Sequence, residues 1–234
     1  MTQLSDSGGS LLLRELDHRI KNELTCAICA ISAKAMQSNS VVVKTALLDV
    51  VDHLHQWSDV HRALQMPAQE RLIDAARYLQ RVCVSITKYR LAGLAISVLF
   101  SADDLQLEGE RCWKLGLIVS ELMTNVARHA QFDCRHPELR VELVLAGKIV
   151  KCVVSDNGSA PEAVRHGRGL TIVGELACSL GGRVHTSCVT EGFYFLLTFP
   201  MTETEQSSAG ANHGVWRKVR RPQRMQRSRT EDLG

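Results

Sequence analysis

Between residues 43 and 64 the side chains Val43, Leu47, Val50, Leu54, Trp57, His61 and Leu64 recur at alternating steps of four and three. That spacing is the seam of a coiled coil or four-helix bundle, and a single helix cannot bury it. A second stripe precedes it: Leu13, Leu16, Ile20, Leu24, Ala27 and Ile31. Gln37-Ser38-Asn39-Ser40 between the stripes reads as a turn and helix N-cap. Two helices alone bury little, whereas two copies of the pair make a four-helix bundle. The expected state is therefore a homodimer through this hairpin. Pro67 ends it, because proline continues a helix only at high cost.

The remaining chain mixes helical and strand periods. The pattern predicts a helix over 70–89, a strand over 94–100 and a long helix over 110–130. Strands at 139–146 and 148–156 follow, joined by a tight turn at Gly147. A helix over 169–180 stops at Gly181-Gly182, and strands at 183–189 and 193–199 close the domain. The expected fold class is α+β: a helical hairpin followed by a sandwich of helices on one face of a mostly antiparallel sheet. After Met201 the chain is rich in Ser, Gly, Gln and Arg, which predicts a disordered tail over 202–234.

Disorder of the whole chain is excluded by 45% hydrophobic residues and a net charge of only +3. Seven basic and four acidic residues lie between Glu203 and Gly234, leaving 21 of each sign before them. The body is thus neutral, which argues against nucleic acid as a partner. No apolar run approaches the roughly 20 residues of a membrane-spanning helix, so stable membrane insertion is not expected. Leu11, Leu12 and Leu13 run straight into Arg14, Glu15 and Asp17, unlike a secretory leader, and a cytoplasmic protein is expected. The eight cysteines, at 26, 29, 83, 112, 134, 152, 178 and 188, then read mostly as reduced core residues. Cys26 and Cys29 form a single CxxC without the second pair of a zinc site.

Four segments combine chemistry-bearing residues. In Glu15-Leu16-Asp17-His18-Arg19-Ile20-Lys21-Asn22, helical geometry puts His18 opposite the apolar stripe, facing water, with Asn22 one turn on. A neutral imidazole can attack phosphorus, and nearby cations offset phosphate charge. Glu121, Asn125 and His129 stand at i, i+4 and i+8 beside the apolar row Leu117, Ile118, Leu122 and Val126. The carboxylate and amide oxygens of Glu121 and Asn125 suit Mg²⁺, although an ordinary amphipathic helix fits the spacing equally well. Asp156 continues the apolar face Val150, Cys152, Val154 and so needs a partner, yet Asp156-Asn157-Gly158 is also a strong turn signal. Gly167-Arg168-Gly169 enters an amphipathic helix whose free N–H groups would favour an anion. It lacks the G-x-G-x-x-G spacing of a dinucleotide fold.

The order of these segments resembles a sensor histidine kinase of two-component signalling, more closely the branch related to the HWE kinases. His18-Arg19-Ile20-Lys21-Asn22 is similar to that branch's phosphoacceptor box, and 121–130 to the N box. Asp156-Asn157-Gly158 resembles the G1 box, Gly167-Arg168-Gly169-Leu170 the G2 box, and Leu197-Thr198-Phe199-Pro200 the closing strand. The resemblance implies a dimerisation and phosphoacceptor domain over 1–67 and a GHKL-type ATP-binding domain over 68–201. It implies that His18 takes a phosphoryl group from Mg-ATP and passes it to an aspartate of a response-regulator receiver domain. Asn125 would hold Mg²⁺, Glu121 would act near the metal or as a base, and Arg128 and His129 would lie near the phosphates. Asp156 would bind the adenine amino group, and Gly158, Gly167 and Gly169 would let backbone approach the nucleotide. Leu170 and Thr198 complete the implied nucleotide-binding set.

Ala160 and Pro161 stand where the G1 box has its second glycine, and only residues 159–166 separate the two glycine boxes. These departures motivate an alternative: a dimeric histidine phosphotransfer adaptor with a degenerate nucleotide pocket. A serine kinase of the anti-sigma type shares the nucleotide boxes but lacks a hairpin with His18. The ten residues ahead of the hairpin do not make a sensor domain, so input is expected from an upstream sensor protein or a longer parent chain.

Overall fold

The computed structural model describes residues 6–67, 72–132, 136–159, 168–189, 192–212 and 223–224. The chain divides into two units, Met1–Gln65 and Met66–Gly234. In the first, α1 (Asp6–Gln37) and α2 (Val41–Ala63) form the expected hairpin. Ser40 caps α2: its hydroxyl accepts the Val43 N–H at 3.5 Å and its carbonyl the Lys44 N–H at 2.9 Å. Leu24, Ala35 and Val51 are buried in the hairpin, and Leu47 and Leu54 are half-buried. The alternate members of the seam are not covered: Val43, Val50 and Trp57 stay 48%, 44% and 38% exposed. One hairpin thus buries only one side of its own heptad stripe.

The second unit contains, in chain order, β1 (Ile73–Asp74), α3 (Ala75–Ile86), β2 (Ser97–Ala102), β3 (Gln106–Leu107), α4 (Gly109–His129), β4 (Glu138–Ala146) and β5 (Ile149–Asp156). Then come α5 (Arg168–Ser179), β6 (Arg183–Val189), β7 (Gly192–Pro200), α6 (Glu203–Asn212) and β8 (Gln223–Arg224). The main sheet runs β6-β7-β5-β4-β2-β8; β2 and β4 are parallel and the other pairs antiparallel. Strand alternation turns Val98 and Phe100, Leu139, Val141 and Leu143, Val150, Cys152 and Val154, and Phe195, Leu197 and Phe199 to the helices, all buried. From α3 and α4 come Leu79, Val82, Ile86, Leu115, Ile118, Val119, Leu122 and Met123. Each such side chain contributes roughly 2 kcal/mol by leaving water. The α+β class and the one-sided helical cover are those the sequence predicts.

Several boundaries and assignments differ. The helix expected from residue 70 starts at Ala75, because the Asp74 carboxylate caps it, taking the Arg77 N–H at 2.8 Å. Ile73 and Asp74 instead pair with Leu107 and Gln106 in a small ribbon. The strand expected from Leu94 starts at Ser97, since Ala95 sits in a left-handed turn at φ 57°. Of the cysteines, Cys83, Cys112 and Cys152 are buried, but Cys26, Cys29 and Cys178 are exposed, which corrects the reading of the set as core. Cys26 and Cys29 lie on the solvent side of α1 and Cys178 on that of α5.

The largest correction concerns the tail: residues 203–212 are helical, not disordered. Thr202-Glu203-Thr204-Glu205 forms a capping box, with the Glu205 N–H donating to Thr202 Oγ1 at 3.3 Å and the Thr202 N–H to Glu205 Oε2 at 2.9 Å. Glu205 is fully buried. Its Oε1 accepts the Glu108 N–H at 2.9 Å and lies 3.0 Å from Arg111 Nε, a charge contact whose N–H is not aimed at the oxygen. Arg111 also donates to the carbonyls of Leu180 (3.3 Å) and Pro200 (2.6 Å) and stacks 5.2 Å from the Phe199 ring. The start of α6 is thereby bound to the start of α4.

Candidate functional site

Helix α4 is the element that the candidate site residues share. Glu121 and Asn125 follow one another a turn apart and are half-buried beside the fully buried Leu122 and Val126. Arg128 and His129, on the last turn, are exposed. Glu121 meets the fourth segment directly: its carboxylate packs on the Cα of Gly169, where any Cβ would collide with it. A side chain at position 169 would displace the flexible end of Glu121. Leu170, next along, is half-buried. Gly167 and Ala160 lie outside the described residues.

The other end of α4 meets the Asp156 loop. The Ser159 N–H donates to the Gln131 carbonyl at 2.6 Å, and the Ser159 hydroxyl does so at 3.1 Å. Gly158 is buried there; a Cβ on it would stand 2.8 Å from the Gln131 oxygen and 3.3 Å from the Phe132 ring. Asp156 ends the inward face of β5, as predicted, and is half-buried. Its Oδ1 accepts the Gly158 N–H at 2.9 Å. Burial pushes its carboxyl above the ordinary value of 3.8, while the N–H groups of Gly158 and Phe193 pull the other way. Both readings of Asp-Asn-Gly therefore hold: the carboxylate closes a turn and also faces the helices. Gly192, at φ 134°, lets β7 pass against the Asp156 carbonyl, an approach that a side chain would block.

Two contributors escaped the motif reading. Asn157 clamps β5 to the start of β4: its Oδ1 accepts the Glu138 N–H at 2.8 Å and its Nδ2 donates to the His136 carbonyl at 2.9 Å. Gln131, just beyond the N-box segment, supplies the carbonyl that holds the Gly158 loop. An Asn inside a turn signal hinted at the first; nothing local marked the second. One implied residue does not join the cleft. Thr198 alternates with Leu197 and Phe199 and pairs with Lys151 and Arg183, so it lies on the face of the sheet away from Asp156 and α4. A strand's closing motif locates the strand, but the pleat decides which side chain faces the helices.

On the first unit, His18 is exposed, as helical geometry predicts. Asn22 Nδ2 stands 3.4 Å from its Nδ1. Arg19 is drawn to Glu15, with Nε 2.9 Å from Oε1 on the exposed surface. The two units thus carry an accessible imidazole and a half-buried carboxylate–amide pair flanked by a glycine helix start and a carboxylate loop.

Family comparison accounts for both. A model described as "Histidine kinase" matches residues 15–89, and one described as "Histidine kinase-like ATPase domain" matches residues 87–188. Together they run without a gap over about three quarters of the chain. This chain belongs to the histidine kinases. Among relatives, the chain is 26% identical over 201 residues to blue-light-activated histidine kinase 2 of Erythrobacter litoralis, covering 82% of this chain and 57% of that one. It is 24% identical over 148 residues to the sensor histidine kinase PdtaS of Mycobacterium tuberculosis, covering 62% and 29%. The chain therefore spans little more than half of the first relative and under a third of the second. The solved histidine kinase domain of E. litoralis EL346 superposes with a TM-score of 0.56 at 21% identity, over 79% of this chain and 98% of that domain. A bacterial phosphotransferase structure does so at 0.56 and 13%, over 84% and 98%. At these identities the likeness speaks for the fold alone. Among its described residues no helix is long and apolar enough to cross a membrane.

Proposed function

We propose that this chain is the dimerising and catalytic part of a protein histidine kinase, which autophosphorylates His18 from Mg-ATP and passes the phosphoryl group to a receiver-domain aspartate. The observation that carries the reading is the convergence on α4: Gly169 against Glu121, and the Asp156–Gly158 loop against Gln131, with Asn125 between them in sequence. Such an arrangement offers an acceptor for an adenine amino group at Asp156 and oxygen ligands for a metal at Glu121 and Asn125. A carboxylate and an amide oxygen one turn apart fit Mg²⁺, which takes few protein ligands and fills its shell with water and phosphate. When bound, the ion would offset the charge of the phosphates. Arg128, exposed at the end of the same helix, would add a cation beside them.

The homodimer reading is supported by Val43, Val50 and Trp57, an uncovered stripe at heptad spacing that a second hairpin would bury. The exposed thiols of Cys26, Cys29 and Cys178 suit a reducing compartment such as the cytoplasm. Since the relatives are longer, an upstream sensor, in the same parent chain or separate, would supply the input.

The adaptor reading keeps one observation in its favour: Ala160 and Pro161 stand where the second glycine of the nucleotide box would be. Incubation with γ-³²P-ATP decides. The wild type is expected to take up acid-labile label and the His18→Gln variant none; the label should then move to a purified receiver domain. Label persisting in His18→Gln would reject the assignment, and absence of nucleotide binding by calorimetry would favour the adaptor.

A further inference from the structure

The Cys26–Cys29 pair is the motif that the kinase chemistry leaves unused. Both thiols are exposed on α1, one turn apart, while Leu24 on the opposite side of the helix is buried. Helix α1 runs unbroken through them, so neither thiol stands at a helix start, where free N–H groups would activate it. Helical residues three apart hold their Cβ atoms about 5–6 Å from each other. A disulfide needs about 3.5–4.5 Å. The pair therefore closes on itself only if α1 bends. A bridging ion makes no such demand. Metal–thiolate bonds of about 2.3 Å on opposite sides of one ion set the two sulfurs about 4.6 Å apart, a span that the unbent helix supplies.

The supply of further ligands decides which ion fits. His18 lies roughly 12 Å back along the axis from Cys26, out of reach, although Cys29 stands within about 20° of it around the helix. Glu23 is three positions before Cys26, yet among the described residues no group of three or more His, Cys, Asp or Glu side chains is placed to hold a metal. Structural zinc needs a tetrahedral protein set, and the hard cations need a shell of oxygens. Neither is present here. Two thiolates without further ligands suit a soft d10 ion, which cysteine sulfur selects. We propose that Cys26 and Cys29 form a two-coordinate thiolate site for a soft monovalent cation, Cu(I). Binding changes no oxidation state: two S–H bonds give their protons to water, two S–Cu bonds form, and the complex carries one negative charge. The site goes beyond the kinase reading and needs no nucleotide. Loaded, it puts the ion on the side of α1 that carries His18.

Competition between the reduced full chain and bathocuproine disulfonate, a coloured Cu(I) chelator, tests this in the absence of oxygen. The wild type is expected to withdraw one equivalent of Cu(I) per chain from the chelator. Cys26→Ser and Cys29→Ser should each lose that equivalent, because a single remaining thiolate holds the ion too weakly. Cys178→Ser, which removes an exposed thiol on α5, should keep it. X-ray absorption at the copper edge of the loaded chain should show two sulfur neighbours and no third ligand. Circular dichroism should give the same helicity loaded and free. Retention of the equivalent in either single variant, its loss in Cys178→Ser, half an equivalent per chain or no uptake at all overturns the proposal. So does a third neighbour of copper, or a fall in helicity on loading, which would mean that α1 had to open.

Discussion

In the proposed function Asp156 serves fold and ligand together. Its carboxylate closes the turn onto Gly158 at 2.9 Å, yet desolvation holds its protonation above the ordinary range. The sign of the consequence is set by that direction. A raised folded-state value favours the protonated form, so the unliganded protein has the associated stability below pH 3.8 and loses it as pH rises through the folded value. The proposed recognition of adenine would run the other way, because only the carboxylate accepts well from an amino group. Binding of ADP, followed by calorimetry from pH 7 downward, should therefore weaken at a higher pH than an unperturbed carboxylate would give. Asp156→Asn should bind roughly 10- to 100-fold more weakly at pH 7 and stay flat over the same range. A pH profile identical in the two proteins would remove Asp156 from the site.

The α6 latch can be tested as an element. Glu205 is buried against Arg111, which is 14% exposed, and both are tied into the ends of α4, α5 and β7. Removing one partner strands the other, at a cost of about 3 kcal/mol. Glu205→Gln should lower the melting temperature by roughly 5–10 °C. Replacing both, as Arg111→Met with Glu205→Leu, should recover much of it, since the charge is then no longer left alone. Ending the chain at Met201, which composition alone suggests is harmless, should destabilise the second unit similarly, and more than ending it at Asn212, which keeps the latch and, among the described residues, removes only the two-residue edge strand β8. Equal melting of the two truncations would show the latch to be idle. The capping box Thr202–Glu205 was readable in the chain; the tail's polar composition outweighed it, and the burial of Glu205 depends on an arginine 94 positions away.

At the scale of the whole molecule, the hairpin's uncovered stripe predicts assembly. A charge at its centre should be tolerated by a lone hairpin, because Val50 and Trp57 are already 44% and 38% exposed, but not by a bundle. Val50→Glu with Trp57→Glu is expected to give the mass of one chain by light scattering, where the wild type gives two, with helicity by circular dichroism largely kept. A wild type of single-chain mass would end the bundle reading. Autophosphorylation should fall in the variant if one copy's cleft serves the other copy's His18.

The hairpin, the turn at Ser40, the strand order along the chain and the outward aspect of His18 were all legible before any coordinates, because each depends on periodicity or on capping within a few residues. The cleft segments were legible as a set for the same reason: short motifs in a fixed order. What only the tertiary structure decided depends on contacts between distant residues. Thr198 faces away because the pleat and register of β7 put it there. Gly158 meets Gln131, and Gly169 meets Glu121, across loops and helices that no local rule connects. A buried charge such as Glu205 is tolerated only where folding brings it a cation and two N–H groups, and that supply is a property of the packed molecule, not of the segment.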